Sequence, residues 1–310
     1  MRIRATVAAV SGALALSAFA VPAAHADGSA SYRTHAATIR EAAIAGSGTG
    51  SAKTAFTAAT ETTGQPYALD VTFSNLKIGK AYKVGTTSHV AFSVSYTLTH
   101  GSDVDITSSD FQTGPYIYKG SYDNPSNMLF GDKPATCTAT SSTTATCKGN
   151  IDIYPADGDL MNADAGSWSA GALAIDWNGQ QNSTNPDLSK VGVADQGGLG
   201  TTLVQRNSTL TADAGPEPVY KGRTLTVTGK LSRANWEDNH YHGYANQPVK
   251  LQFRKAGTST YTTVKTVYTN SYGNLKTTTT ANYDGYWRFS FAGTSTTPAV
   301  SATGDYVDVK

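Results

Sequence analysis

The stretch Tyr283-Asp284-Gly285-Tyr286-Trp287-Arg288-Phe289-Ser290-Phe291 decides the fold. Asp284-Gly285 is turn chemistry, because glycine adopts φ > 0 at no steric cost. The chain then alternates: Trp287, Phe289 and Phe291 fall on one face, Tyr286, Arg288 and Ser290 on the other. A period of two marks a strand buried on one side. A related phrase, Asp164-Ala165-Gly166-Ser167-Trp168, precedes another apolar stretch. The pair implies two all-β modules, each with an acidic-Gly-Trp lead-in to a core strand.

Outward from this stretch, the second module runs from about Ser208 to Lys310. Leu225, Val227 and Leu231 face one way, Thr224, Thr226, Thr228 and Lys230 the other. A polar, aromatic loop, Asn235–Asn246, precedes Val249, Leu251 and Phe253, which alternate with Lys250, Gln252 and Arg254. Tyr261–Tyr268 is strand material, Gly273-Asn274 a turn, and Val307 and Val309 a final edge. About seven strands in some 100 residues is the pattern of an immunoglobulin-like sandwich. The expected core is Leu225, Val227, Leu251, Phe253, Trp287, Phe289 and Phe291.

The first module runs from about Pro66 to Gln205. Leu69, Val71 and Phe73 alternate with polar neighbours, as do Val90, Phe92, Val94, Tyr96 and Leu98. Gly114-Pro115 reads as punctuation before Tyr116-Ile117-Tyr118. After Trp168, Leu173, Ile175 and Trp177 lie opposite the small Ala170, Ala172 and Ala174, as in a strand in the middle of a sandwich. Asn178-Gly179 and Gly197-Gly198 read as turns before a last strand near Thr201–Gln205. Cys137 and Cys147 are the only cysteines. In an oxidising compartment they should bridge two strands of a hairpin. So short a loop should contribute somewhat less than the ~3 kcal/mol of a 15-residue one.

Upstream, Arg2 and Arg4, the apolar run to Ala20 and Ala24-His25-Ala26 form a secretory signal peptide cut after Ala26. Residues 27–65, rich in Ala, Gly, Ser and Thr, read as a flexible linker. Residues 36–45 form at most a short helix, marginal alone. Cleavage removes two of 24 basic residues and leaves 23 acidic ones, a formal charge of −1. That balance steers the chain toward neither nucleic acid nor an anionic membrane, and no membrane insertion is expected after the signal is removed.

Lys221-Gly222-Arg223-Thr224-Leu225-Thr226-Val227-Thr228-Gly229, then Val249–Arg254, Tyr261–Val264 and Asp284–Arg288 resemble a C-terminal module of secreted proteins from high-GC Gram-positive bacteria. Those modules resemble bacterial immunoglobulin-like repeats. The resemblance implies a β-sandwich and an extracellular or cell-surface role. It implies no catalytic residues.

Three groups of residues suggest ligands. Trp236, Tyr241, Tyr244, Tyr283 and Tyr286 could stack on the apolar faces of sugar rings, with His240 and His242 bonding hydroxyls. A lid over one end of the sandwich is the alternative for Trp236 and Tyr244. His240 and His242, at i, i+2 with nearby carboxylates, are a pattern for Zn²⁺ or Cu²⁺. Asp157, Asp159, Asn162 and Asp164 offer the oxygens that Ca²⁺ takes, or else form a turn in which Asp164 holds the chain before Trp168. Gly-x-Ser-x-Gly and His-Glu-x-x-His are absent, and no cofactor is required.

The chain therefore reads as a non-enzymatic extracellular protein, released or loosely held at the cell wall. It would bind cell-wall or environmental polysaccharide, or another surface protein. A Ca²⁺-stabilised spacer is the second reading, and a secreted hydrolase with an unrecognised site the third.

Overall fold

The computed structural model describes residues 30–46, 64–183 and 185–310. The expected signal peptide and the linker residues 47–63 lie outside them. The first module opens with α1 (Ala30–Gly46). Ten strands follow: β1 (Tyr67–Ala68), β2 (Val71–Lys77), β3 (Ala81–Val84), β4 (Val90–His100), β5 (Phe111–Gly120), β6 (Pro125–Phe130), β7 (Thr136–Ala139), β8 (Thr144–Ile153), β9 (Gly166–Asp176) and β10 (Gly192–Arg206). The second module holds β11 (Ser208–Leu210), β12 (Asp213–Gly215), β13 (Thr224–Asn235), β14 (His240–Gly243), β15 (Pro248–Lys255), β16 (Thr262–Tyr268), β17 (Asn274–Thr280), β18 (Gly285–Phe291), β19 (Val300–Ser301) and β20 (Asp305–Val307). These are two tandem immunoglobulin-like β-sandwich domains.

In the second module, one sheet gathers β11, β12, β14 and β17 around β13; the other runs β16-β15-β18-β19 with β20 beside β18. Val249, Leu251 and Phe253 pair directly with Phe291, Phe289 and Trp287. With Leu225 and Val227 from the facing sheet they form the core, Phe253 lying partly buried at its margin. Burying each large apolar side chain contributes about 1.5–3 kcal/mol.

Gly285 corrects one expectation. Its φ is not positive. A Cβ there would stand 2.4 Å from the Arg254 carbonyl oxygen and 2.5 Å from the Phe253 ring. Glycine is needed because β15 passes so close, not for a left-handed turn. Asn235–Asn246 is also more ordered than a loop: β14 pairs with β13, Asn235 opposite His240.

In the first module, the sheets β1-β10-β9-β5-β6 (with β3 beside β10) and β2-β4-β8-β7 pack face to face. Cys137 and Cys147 are direct cross-strand partners and form the expected disulfide. β9 is buried on both sides, as its two apolar faces suggested. Ala172 and Ala174 face the second sheet, while Leu173, Ile175 and Trp177 pack under α1.

That helix corrects the reading of residues 27–65 as a flexible linker with at most a short, marginal helix at 36–45: it spans Ala30–Gly46 and is docked. Tyr32, Ala36, Ile39 and Ala43 lie on one helical face and are at most 4% exposed. The packing stabilises a helix that propensity alone would not. Arg40 anchors it, 1% exposed. Its Nε lies 2.8 Å from Asp195 Oδ2, an ion-pair contact that is not aligned as a hydrogen bond. Its Nη2 donates to the Tyr122 carbonyl at 2.9 Å, and its guanidinium covers the rings of Tyr116 and Tyr122. Burial alone would lower the Arg40 pKa; Asp195, Tyr116 and Tyr122 together outweigh burial and hold the cation.

Gly114-Pro115 does not interrupt β5. A Cβ at Gly114 would lie 2.2 Å from the Tyr32 hydroxyl, so glycine makes room for the helix. Pro115 is tolerated because β6 begins to pair only at Tyr116, leaving β9 as its one strand neighbour there. Gly197-Gly198 likewise marks a bulge within β10 rather than a turn before it.

Candidate functional site

Only Asn207 separates β10 from β11, and the two modules pack tightly beside it. Trp236, at the tip of the β13–β14 hairpin, is 2% exposed and belongs to the first module's core with Val84, Val204 and Trp168. Its Nε1 donates to the carbonyls of Gly85 (2.9 Å) and Val84 (3.3 Å). Arg206 Nε donates to the Ala234 carbonyl at 2.6 Å and Gln205 Nε2 to the Thr294 carbonyl at 2.8 Å. Burial, then the neighbouring Arg233, pulls the Arg206 pKa downward.

This joint removes Trp236 from the expected sugar platform, since a buried indole has no face to offer. Tyr241 sits at the rim of the joint, its hydroxyl accepting from Asn207 Nδ2 at 3.0 Å. Tyr244 packs edge-on against Phe291 under the Arg233 guanidinium, 3.9 Å from its centroid. Tyr283 and Tyr286 lie toward the other end of the module. Thr224, at the start of β13, pairs with Thr280, whereas Asn235 at its end pairs with His240. Eleven residue steps of ~3.4 Å separate those ends by more than 30 Å. The seven candidates therefore do not form one site.

The Asp157–Asp164 segment is committed to structure. Asp159 Oδ2 accepts from Tyr154 N at 2.7 Å and pairs with Arg33 at 3.0 Å. Asp164 Oδ2 accepts from Met161 N (2.8 Å) and Asn127 Nδ2 (3.0 Å), and its carbonyl accepts from Trp168 Nε1 at 2.7 Å. Asn162 turns to the second module: its Oδ1 accepts from Trp236 N at 3.1 Å and its Nδ2 donates to Asn235 Oδ1. Asp157 is exposed. With three of the four donors already used in different directions, the expected Ca²⁺ cage does not assemble; Asp164 holds the turn instead.

His240 and His242 both approach Asp238, through its carbonyl (2.5 Å) and Oδ2 (2.6 Å). Arg233 stands directly opposite His242 in the ladder, a cation that opposes a second one. Among the described residues, three metal-ligand atoms converge elsewhere: those of His89, Asp132 and Asp152, all within 4.8 Å of one another. His89 Nε2 lies 2.8 Å from Asp152 Oδ1, the Asp132 amide donates to Asp152 Oδ2 at 2.9 Å, and the Tyr154 hydroxyl donates to Asp132 Oδ2 at 2.5 Å. That last bond, followed by desolvation, pushes the Tyr154 phenol up to about 12. A 580 Å³ groove adjoins the cluster, lined by Asp132, Lys133, Lys148 and Asp152 among others.

The second module carries an aromatic surface that sequence reasoning saw only in part. Arg254, Tyr286 and Tyr306 stand opposite one another across β15, β18 and β20. The Arg254 guanidinium lies 4.0 Å from the Tyr286 centroid, and the Tyr286 and Tyr306 rings are 5.1 Å apart. Tyr261 lies across this row, with Arg288 3.8 Å from its ring. Its hydroxyl reaches Gly304, where a Cβ would be 2.0 Å away. Tyr306 and Tyr283 are 41% and 53% exposed. Tyr283 precedes β18 and packs against Lys255 at 4.5 Å. The missing members are Tyr261, which opens the Tyr261–Tyr268 strand stretch, and Tyr306, within β20; nothing in the sequence links either to Tyr286.

No protein-family model matches the chain, and no curated protein does. Solved structures similar to it include fibronectin(III)-like modules of Clostridium thermocellum CbhA, 13% identical, covering 77% of this chain and 92% of that one at a TM-score of 0.25. The Yersinia pseudotuberculosis adhesin InvE is 11% identical over 76% of this chain and 58% of its own, at a TM-score of 0.24. Three N-terminal domains of the bacteriophage RB49 highly immunogenic outer capsid protein are 9% identical over 78% and 70%, at 0.26. Such scores leave every functional statement to the molecule's own geometry. No helix among the described residues is long and apolar enough to cross a membrane.

Proposed function

We propose that this chain is an exported, non-enzymatic binding protein that holds polysaccharide against the tyrosine–arginine face of its second module. The row Arg254–Tyr286–Tyr306, crossed by Tyr261, carries the reading. A tyrosine ring has an apolar face for sugar C–H groups and a polar tip for hydroxyls. Here the rings stand on paired strands, so little side-chain freedom remains to be lost on binding. Arg254 and Arg288 add donors that suit carboxylate or phosphate on an acidic glycan. The inter-module joint would hold this face at a fixed distance from the first module. That same rigidity favours the second reading, a spacer without a specific ligand.

The test is retention of the purified mature chain on insoluble polysaccharides and cell-wall sacculi, beside a Tyr286→Ala/Tyr306→Ala variant. Retention on one matrix, reduced at least tenfold in the variant, is expected. Equal retention of both proteins would refute the face as the site, and no retention on any matrix would leave the spacer.

A further inference from the structure

We propose that His89, Asp132 and Asp152 form a binding site for a divalent transition-metal ion, with Zn²⁺ the best match to one imidazole and two carboxylates. This inference concerns the first module and is independent of the polysaccharide reading.

The three ligands come from different places that the sheet fixes. His89 immediately precedes β4, Asp152 lies near the end of β8, and Asp132 follows β6. Ala91 pairs with Asp152 and Val90 with Ile153, which brings His89 to the end of β8. Gly131 sets the third ligand. A Cβ there would lie 2.2 Å from the Asn150 carbonyl oxygen, so only glycine allows the chain to deliver Asp132 so close to β8. Zinc takes nitrogen and carboxylate oxygen at about 2.0–2.2 Å, which sets tetrahedral ligand atoms about 3.3 Å apart. Atoms already within 4.8 Å of one another lie within about 1.5 Å of that spacing. The adjoining groove leaves room for a water as fourth ligand, the arrangement of an open zinc site.

The surroundings orient the ligands rather than neutralise them. The Tyr154 ring stacks on His89, centroids 4.3 Å apart and 6° from parallel, while its hydroxyl bonds Asp132. Outer groups of this kind fix the geometry of a metal ligand. Arg33 is the nearby permanent cation. Its Nη2 pairs with Asp159 and donates to the Asp152 carbonyl oxygen, not its carboxylate. Lys133 and Lys148 line the groove, yet among the described residues neither forms an ion pair. Two carboxylates thus face one imidazole, a donor set whose charge a dication balances.

The experiment titrates the metal-free mature chain with Zn²⁺ by calorimetry and with Co²⁺ by visible absorption, for wild type, His89→Ala, Asp132→Asn, Tyr154→Phe and His242→Ala. One equivalent of metal is expected. Affinity should fall at least tenfold in His89→Ala and Asp132→Asn, about 10–100-fold in Tyr154→Phe, and stay unchanged in His242→Ala. Circular dichroism should show every variant folded, since His89 is 41% exposed at its side chain and Asp132 half-buried. Absence of binding to wild type, or binding kept by His89→Ala and lost by His242→Ala, would overturn the proposal.

Discussion

Replacing Trp236 by alanine tests whether the two modules behave as one body. The indole is 2% exposed and sits among first-module core residues, although it belongs to the second module. A tryptophan buries roughly 150–250 Å². At about 25 cal/mol per Å² that is ~4–6 kcal/mol, in line with the ~3–5 kcal/mol measured for large aromatic-to-alanine changes. The carbonyls of Val84 and Gly85 also lose their donor, although water can replace it once the joint opens. We expect a loss of ~4 kcal/mol, borne mostly by the coupling between modules. Guanidinium unfolding followed by circular dichroism should change from one cooperative transition to two. Small-angle scattering should show a broader range of inter-module distances. Trp236→Phe keeps most of the area and loses the one N–H donor shared between the Val84 and Gly85 carbonyls, about 1 kcal/mol, so its scattering should match the wild type. A Trp236→Ala protein with a single transition, less than ~1 kcal/mol of destabilisation and unchanged scattering would refute the joint as described.

Two further predictions concern the first module. Arg40→Ala leaves Asp195 buried with no counter-charge, and breaking a buried pair from one side costs about 3–5 kcal/mol. Denaturant unfolding should show that loss, and limited proteolysis should cut within residues 30–46; resistance equal to wild type would contradict the docking of α1. Alkaline pH should destabilise this module, because burial raises the phenols of Tyr32, Tyr96, Tyr116 and Tyr122, and the bond to Asp132 raises Tyr154 to about 12. A phenol with a raised folded pKa stabilises the fold fully below its unfolded value of about 10, and that contribution is lost as pH rises beyond it. Tyrosinate absorbance should therefore include a fraction that appears only as ellipticity falls, and complete ionisation with the fold intact would contradict this.

Short-range alternation made much of the architecture legible. β4, β13, β15 and β18 each carry a period-two pattern, and their inner residues form the cores expected of them. Cys137 and Cys147 were readable because two cysteines allow only one pairing. What escaped depends on long-range contact. Trp236 sits in a polar hairpin and reads as exposed; the carbonyl that receives its Nε1 lies 151 residues away. Residues 30–46 are Ala-rich and weakly amphipathic, and their anchor, Asp195, lies in β10, far along the chain. Gly114 and Gly285 look like turn signals, yet each is glycine because another element passes within van der Waals range. His89, Asp132 and Asp152 share no motif; only strand register and the close approach at Gly131 bring them together. Tyr306 joins Tyr286 by the same kind of pairing, invisible at their spacing in the chain.

The central claim is that the tyrosine–arginine face of the second module contacts polysaccharide. The most direct test labels surface tyrosines of the wild-type chain by nitration, free and bound to the matrix that retains it, and locates the label by mass spectrometry. Tyr286 and Tyr306 should be protected in the bound state. Tyr268, 67% exposed on the same sheet but opposite Pro248, six residues (~20 Å) along β15 from Arg254, and Tyr272, 73% exposed in the turn before β17, should react equally in both. Undiminished labelling of Tyr286 and Tyr306 in the bound protein, or protection confined to Tyr268 and Tyr272, would contradict the account.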